Sequence, residues 1–399
     1  MILARLLSKI YKKKDGIILI DYNGQKYICG NPNFNKPITV KLLKKNLNWK
    51  IILNPELYFP EAYMRGEILI ENGSLYDFLS LTFENLGREE INVMGVFAKK
   101  AMHVWRFVSN YNLPTKSKKN VQHHYDIGEE LYDIFLDKKH RLYSCAYYKT
   151  PQDTIEQAQQ NKLDHIIKKL SLKSGHKVLD IGSGWGGMAF EIAKQSKCEV
   201  TGISLSENQI EYCRKKAKQL KLDNQVNFEL CDYRHINGKF DRIVSVGAFE
   251  HFGKKFYGTF FKKVKDLINE KGIILLHTIG SVAPPGPVQP FIQKYIFPGG
   301  IVPSMSDMVK SIEKSGLVIS DMENLIHHYD KTLKAWLDRF LENKRQVRQL
   351  YDDNFVRMWE FYLASCSAAF KFRDLVVYQL QLVKDFNAIP SNRRDYIYY

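Results

Sequence analysis

Asp180 stands just before four closely spaced glycines, Gly182, Gly184, Gly186 and Gly187, in VLDIGSGWGG. Glycines in such a loop permit a tight turn and let a ligand approach the backbone where a helix begins. Gly182, Gly184 and Gly187 also satisfy the GxGxxG spacing of dinucleotide sites, so the glycines alone leave the ligand open. Asp180 separates the two readings, because a carboxylate repels a pyrophosphate and holds a cation. S-adenosylmethionine (SAM) carries a sulfonium and an amino group and no phosphate, and D-x-G-x-G-x-G is the methyltransferase form of the loop. Polar residues follow in the order that such a site needs. TGISLSENQ offers Ser204, Ser206 and Gln209 to ribose hydroxyls, with Glu207 slightly past the usual position. CDYR offers Asp232 to an adenine amino group; an Asp after a strand is commonly a helix cap, so its place in the series gives it weight. Glu250 and His251 in SVGAFEHFG, and His277 in LLHTIG, then bring three ionisable groups to neighbouring strand ends.

Strand ends matter because open α/β sheets bind their ligands there. The apolar runs predict strands over 178–181, 199–204, 226–230, 242–246 and 273–278, with helices over 185–195, 208–220 and 254–267. This alternation predicts a parallel sheet covered by helices on both faces. Beyond 284 a Pro/Gly-rich stretch precedes a helix at 306–315, a strand at 318–322, long helices at 331–341 and 352–372, and a closing strand at 376–383. Residues 1–110 read as a smaller module of mixed structure. Its β-rich runs are 17–22, 26–29, 38–42 and 49–53, followed by helical patterns at 75–81 and 91–108. The polar, basic stretch 111–120 is the candidate linker, which makes 121–399 the catalytic domain.

Composition narrows the class. With 45% hydrophobic and 26% charged residues among 399, the chain is globular rather than disordered, and its length suggests two domains. No run approaches the roughly 18 apolar residues of a membrane span. The basic residues at the start follow the apolar run, the reverse of a secretory signal. Six scattered cysteines without a CxxC pair argue against disulfides or structural zinc and for a cytoplasmic setting. The net charge is +16, of which residues 1–120 hold +9. That excess fits nucleic acid, an anionic membrane surface, or plain solubility.

YSCAYY (143–148), VLDIGSGWGG, DRIVSVGAFEHFG, LLHTIG, KYIFPGG (294–300) and HYDKTLKAW (328–336) together resemble the cyclopropane-fatty-acyl-phospholipid synthase family. The likeness runs through most of 121–385, and is looser in the first 110 residues, mainly in EAYMRGE. It implies a Rossmann-like SAM-dependent methyltransferase fold with a smaller mixed N-terminal domain. It also implies methylene transfer from SAM to the cis double bond of a phospholipid acyl chain. The family's carbonate site maps onto Cys145, Glu250, His277, Ile279 and Tyr329, with bicarbonate as base; a second cysteine maps onto Cys366, within a predicted helix. Cofactor contacts map onto Tyr143, Ser144, Leu179, Asp180, Gly182, Ser183, Gly184, Trp185, Gly186, Gly187, Ser204, Gln209, Asp232, Tyr233 and Arg234. Ser183 departs from the family, which often has Cys there; that position acts mainly through backbone in a tight turn.

An alkene is a weak nucleophile, so the sulfonium methyl must be held in line with it in a dry pocket. Positive charge then develops on the former alkene carbons, where aromatic faces stabilise it, and loss of a proton from the new methyl group closes the ring. The resemblance also implies a homodimer and peripheral association with the inner face of the membrane. Two segments are candidates for contact with anionic phospholipid: the amphipathic stretch 1–11 and the loop 284–304. Two other readings remain: a SAM enzyme making a methyl-branched or methylene-bearing fatty acid, and a basic RNA-binding methyltransferase. The second lacks an RRM-like aromatic signature or an NPPY-type motif, so no nucleic-acid partner is expected.

Overall fold

The computed structural model describes residues 1–33, 35–88, 128–389 and 393–398. The linker 111–120 and the helical pattern 91–108 lie outside the described residues. The chain forms two compact units. One comprises Met1–Ser109, Pro287–Pro298 and Asp330–Leu375; the other comprises Asn110–Gly286, Gly299–Tyr329 and Val376–Tyr399.

In the first unit, strands β1 (Ile17–Ile20), β2 (Lys26–Cys29), β3 (Thr39–Leu42) and β4 (Ile68–Glu71) form a sheet of order β2-β1-β3-β4. Asp21 shapes the β1–β2 turn, its Oδ1 accepting from the N–H groups of Asn23 and Gln25. Alternate residues Ile17, Leu19, Val40, Leu42 and Ile68 are buried on one face. The helix Ile2–Ile10 packs inward through Leu3 and Ala4, and the Tyr11 hydroxyl lies 2.7 Å from Thr82 Oγ1. Stretch 1–11 is therefore a packed first helix.

The run 49–53, β-rich in composition, lies in the helix Leu47–Leu53. Its buried residues, Leu47 and Ile51, are four apart, a helical and not an alternating spacing. Segments 287–298 and 330–375, which the sequence division gave to 121–399, belong to this first unit. The reason is burial: the helix Asp353–Phe372 packs on helices Pro55–Met64 and Leu75–Leu86. Phe361 meets Phe59 at 6.2 Å and Phe291 at 5.0 Å between ring centroids.

The second unit is the doubly wound α/β sheet that the sequence alternation predicts. Strands β5 (Lys177–Ile181), β6 (Glu199–Ser204), β7 (Val226–Leu230), β8 (Phe240–Val246) and β9 (Ile268–Ser281) are parallel. β10 (Val318–Asn324) and β11 (Leu375–Val383) pair antiparallel, and the full order is β10-β11-β9-β8-β5-β6-β7. Successive residues face opposite cores: Val178, Val200 and Val244 on one side, Leu179, Ile203 and Ile243 on the other. Strands buried on both faces need adjacent apolar residues, as Val178–Leu179 and Ile243–Val244 supply at the centre of this sheet. Strand order reverses between β5 and β8, and that reversal opens a crevice at the carboxyl ends.

Candidate functional site

Residues of the second unit line a cleft at this crevice. Tyr143, Ser144, Asp180, Gly182, Ser183, Gly184, Trp185, Ser204, Gln209, Asp232, Tyr233 and Arg234 all border it. Leu179, Gly186 and Gly187 stand behind it: Leu179 is core, and Gly186 and Gly187 begin the helix Gly187–Ser196. The loop is pinned to β6, since the N–H groups of Gly182 and Ser183 both donate to the Ile203 carbonyl at 2.9 and 3.0 Å. Gly182 has φ +82°, and a Cβ there would sit 2.5 Å from that of Ala248, so only glycine fits. Ser183 also sends its hydroxyl to the Ile203 carbonyl, so serine is accommodated where the family often has cysteine.

Residues that border this cleft carry buried polar atoms: Asp180 Oδ2, Trp185 Nε1, Gln209 Nε2 and the Tyr233 hydroxyl make no hydrogen bond among the described residues. Such atoms are costly unless a ligand completes them. Burial pushes the Asp180 carboxyl up to about 7, and a bound cation would restore its charge. Gln209 is oriented by Ser204, whose hydroxyl donates to Oε1 at 2.8 Å, which leaves Nε2 for a ligand. Ser206 is a helix cap, accepting from the Gln209 N–H. Both Asp232 oxygens take hydrogen bonds from Arg234, which outweighs burial and holds that carboxylate below its usual range. Tyr143 is set edge-on against Tyr132 and Phe135 of the helix Glu129–Phe135.

The ionisable groups at the ends of β8 and β9 diverge in environment. Glu250 Oε1 accepts from the Ile279 N–H at 2.6 Å, while Oε2 is buried and unpartnered. Burial pushes this carboxyl up to about 7. His251 borders the cofactor cleft, and burial pulls it down to about 4. His277 is buried and held neutral, well below its usual value, by burial and by the lysines Lys162 and Lys169. Cys145 is buried, its thiol donating to the Ala146 carbonyl. Tyr329 is buried at the start of the helix His328–Glu342. The adjacent His328 accepts from the Tyr148 N–H at 3.0 Å, which ties that helix start to the YSCAYY segment. Cys366 lies on the Asp353–Phe372 helix of the first unit, where burial pushes its thiol up to about 12, far from a reactive thiolate.

Sequence reasoning missed the helix Ile155–Leu170, which carries Gln159, Lys162, His165 and Lys169 inward. Lys162 is fully buried, borders the cleft, and donates to Ser144 Oγ at 2.7 Å. That is its one hydrogen-bond partner among the described residues, and no carboxylate pairs with it. Burial depresses it to about 8. Lys169 donates to Glu323 at 2.5 Å and to Gln379 Oε1 at 2.8 Å. The Gln379 amide is thereby oriented so that Nε2–H donates to His277 Nδ1 at 3.1 Å. With Nδ1 accepting, the proton of the neutral imidazole resides on Nε2. The helix is fixed at both ends. Thr154 and Gln157 form a capping box at its start. At its end the Arg242 guanidinium donates to the carbonyls of Leu170 and Ser171. The Thr154/Gln157 spacing was the available sequence signal.

Residues 113–380 match the family described as mycolic acid cyclopropane synthetase. The chain is 42% identical over 272 residues to the cyclopropane-fatty-acyl-phospholipid synthase of Escherichia coli strain K12, covering 68% of this chain and 69% of that protein. It is 35% identical to a probable fatty acid methyltransferase of Pseudomonas putida, over 69% of this chain and 72% of that protein. Among solved structures, it is similar to the mycolic acid cyclopropane synthase CmaA1 complexed with SAH and CTAB. There the TM-score is 0.63 at 31% identity, over 66% of this chain and 97% of that one.

Proposed function

The chain belongs to the mycolic acid cyclopropane synthetase family, and from that premise we propose that it converts the cis double bond of a phospholipid acyl chain into a cyclopropane ring, with SAM as methylene donor and bicarbonate as base. It is a SAM-dependent transferase acting on lipid; the phospholipid, the ring product and the base are the finer reading. The observation that carries this reading is the pair of unmatched buried charges bordering one cleft, the Asp180 carboxyl and the Lys162 ammonium.

Asp180 suits the cationic amino acid end of SAM, and the free Nε2 of Gln209 suits a ribose oxygen. SAH bound in the CmaA1 structure supports the same ligand class here. Lys162 suits an anion. A bound bicarbonate supplies a mobile base for the proton that leaves the new methyl carbon. Around it, Glu250 Oε2 shares a proton with an oxyanion, being poised near neutrality. His277 donates from Nε2, because Gln379 occupies Nδ1. Tyr329 helps position the anion, Cys145 closes the wall, and Lys162 balances the charge. Glu250 itself is kept back from the substrate by its bond to the Ile279 N–H; a carboxylate touching the developing cation would be alkylated to an ester.

Expression in a host without cyclopropane fatty acids tests the reaction. Mass spectrometry should show monounsaturated chains gaining one CH2, and NMR should show ring protons. A methylene-bearing product, isomeric with the ring, would give the same mass change without those ring protons, and a saturated methyl-branched one, a product class that the Pseudomonas putida relative keeps in view, would be two hydrogens heavier. Full activity of Glu250→Ala in carbonate-free buffer would sink the base assignment. In this reading the enzyme works peripherally on an anionic phospholipid surface, supported by the +9 of residues 1–120, and as a homodimer. Among the described residues no helix is long and apolar enough to cross a membrane.

A further inference from the structure

The first unit exposes apolar side chains where a free-standing protein surface would place polar ones. On the helix Leu47–Leu53, Leu47 and Ile51 face inward, and Trp49 and Leu53 lie one turn apart on the outside. Each of the outer two is 60% exposed, and Leu43, just before the helix, is 47% exposed. Single exposed apolar residues are ordinary, but a Trp and a Leu stacked on one helical stripe are not. The segment that holds them carries one sign of charge. Residues 41–53 contain Lys41, Lys44, Lys45 and Lys50 and no carboxylate. Lys41 pairs with Glu71 at 2.6 Å; the other three have no ion-pair partner among the described residues.

Resting on the membrane reading above, we infer that 43–53 is the bilayer-contact face of this protein. Trp49 and Leu53 enter the boundary between headgroups and acyl chains of an anionic membrane, and Lys44, Lys45 and Lys50 meet its phosphates. Tryptophan is suited to that boundary, with an apolar ring and a single N–H donor, and lysine stems reach along it to keep the ammonium in the headgroups. The two segments that the sequence suggests for this role are engaged elsewhere. The helix Ile2–Ile10 turns Leu3 and Ala4 inward. In 284–304, Phe291 and Ile296 are buried, and Lys294 is paired with Glu61 at 2.8 Å. A second copy of the chain could also cover an apolar stripe, but three unpaired lysines beside the same three lysines of a twin would repel, whereas an anionic surface complements them.

The test is co-sedimentation of the full chain with phosphatidylcholine vesicles, with and without half phosphatidylglycerol. The double variant Trp49→Ser/Leu53→Ser should bind the anionic vesicles about 10–100-fold more weakly than wild type. Its melting temperature and SAH affinity should be unchanged, which separates lost docking from lost folding. Independently, brominated acyl chains should quench wild-type tryptophan fluorescence, and Trp49→Phe should remove that quenching. Wild-type binding by the double variant overturns this inference alone, as does a change from dimer to monomer with vesicle binding intact. A wild-type protein that sediments with neither vesicle overturns the membrane reading and this inference together.

Discussion

Asp180 and Lys162 border the same cleft and make opposite demands on it. Among the described residues, one is a buried carboxyl with an oxygen that has no hydrogen-bond partner; the other is a buried ammonium whose one hydrogen bond is to a serine hydroxyl. Burial moves the acid up to about 7, and it moves the lysine down to about 8 against the opposing pull of Asp137. An unliganded protein would be more stable without either, since buried unpaired charge is costly. The contrast fits the proposed ligand set, a cation held by Asp180 and an anion met by Lys162. Stability has been given up at both ends to hold it.

The largest effect expected at the anion end is from Glu250→Gln, which should lower product formation by about 10²–10⁴-fold. SAM affinity, measured by calorimetry, should hardly change, because the residue serves the other end. Lys162→Met follows, with turnover reduced by about 100-fold while the ligand-free protein gains about 1–3 kcal/mol. A destabilised Lys162→Met protein would break the comparison. Asp180→Asn should loosen SAM by about 10–100-fold, the loss of one charge-assisted contact, and should leave any bicarbonate dependence as it was.

Acid titration sharpens the contrast, because the two slopes differ in sign. Between its usual value of 3.8 and about 7, Asp180 keeps a proton in the folded state that the unfolded chain has lost. Stability of the ligand-free protein therefore falls as pH rises through that window, and SAM binding tightens towards and above pH 7. Lys162 is the reverse: between about 8 and 10.5 the unfolded chain holds the extra proton, so stability rises with pH. In thermal melts across pH 4.5–10 wild type should show both slopes; Asp180→Asn should flatten the acid-side fall, which Glu250 shares, and Lys162→Met should remove the alkaline rise. The smallest effect is expected from Cys366→Ser, a few-fold at most in turnover, since a thiol held so high has no thiolate to offer.

The two ends were not equally legible in the sequence. Asp180 and its glycines advertise themselves because the chemistry of a tight loop is backbone chemistry, and backbone demands fix residue type at each position. The strands β5 to β9 and the candidate residues Glu250 and His277 follow from short apolar runs ending in polar groups. Lys162, Lys169 and Gln159 do not, because a lysine-bearing helical stretch such as NKLDHIIKKL reads by default as a solvated face. Only the packing reveals that its polar stripe points inward. The run 49–53 misleads for a similar reason: its residues are strand formers, and burial at a four-residue interval overrides their preference. The return of 287–298 and 330–375 to the first unit rests on contacts between distant segments, which no local pattern encodes.

The clamp on the helix Ile155–Leu170 has a kinetic consequence. With a capping box at one end and the Arg242 guanidinium on the Leu170 and Ser171 carbonyls at the other, neither terminus frays easily. The backbone that carries Lys162, near the middle of the helix, therefore opens only with the surrounding unit. The amide hydrogens of this helix should be among the last to exchange with deuterium, so that Lys162 stays fixed at the cleft border while ligands enter and leave.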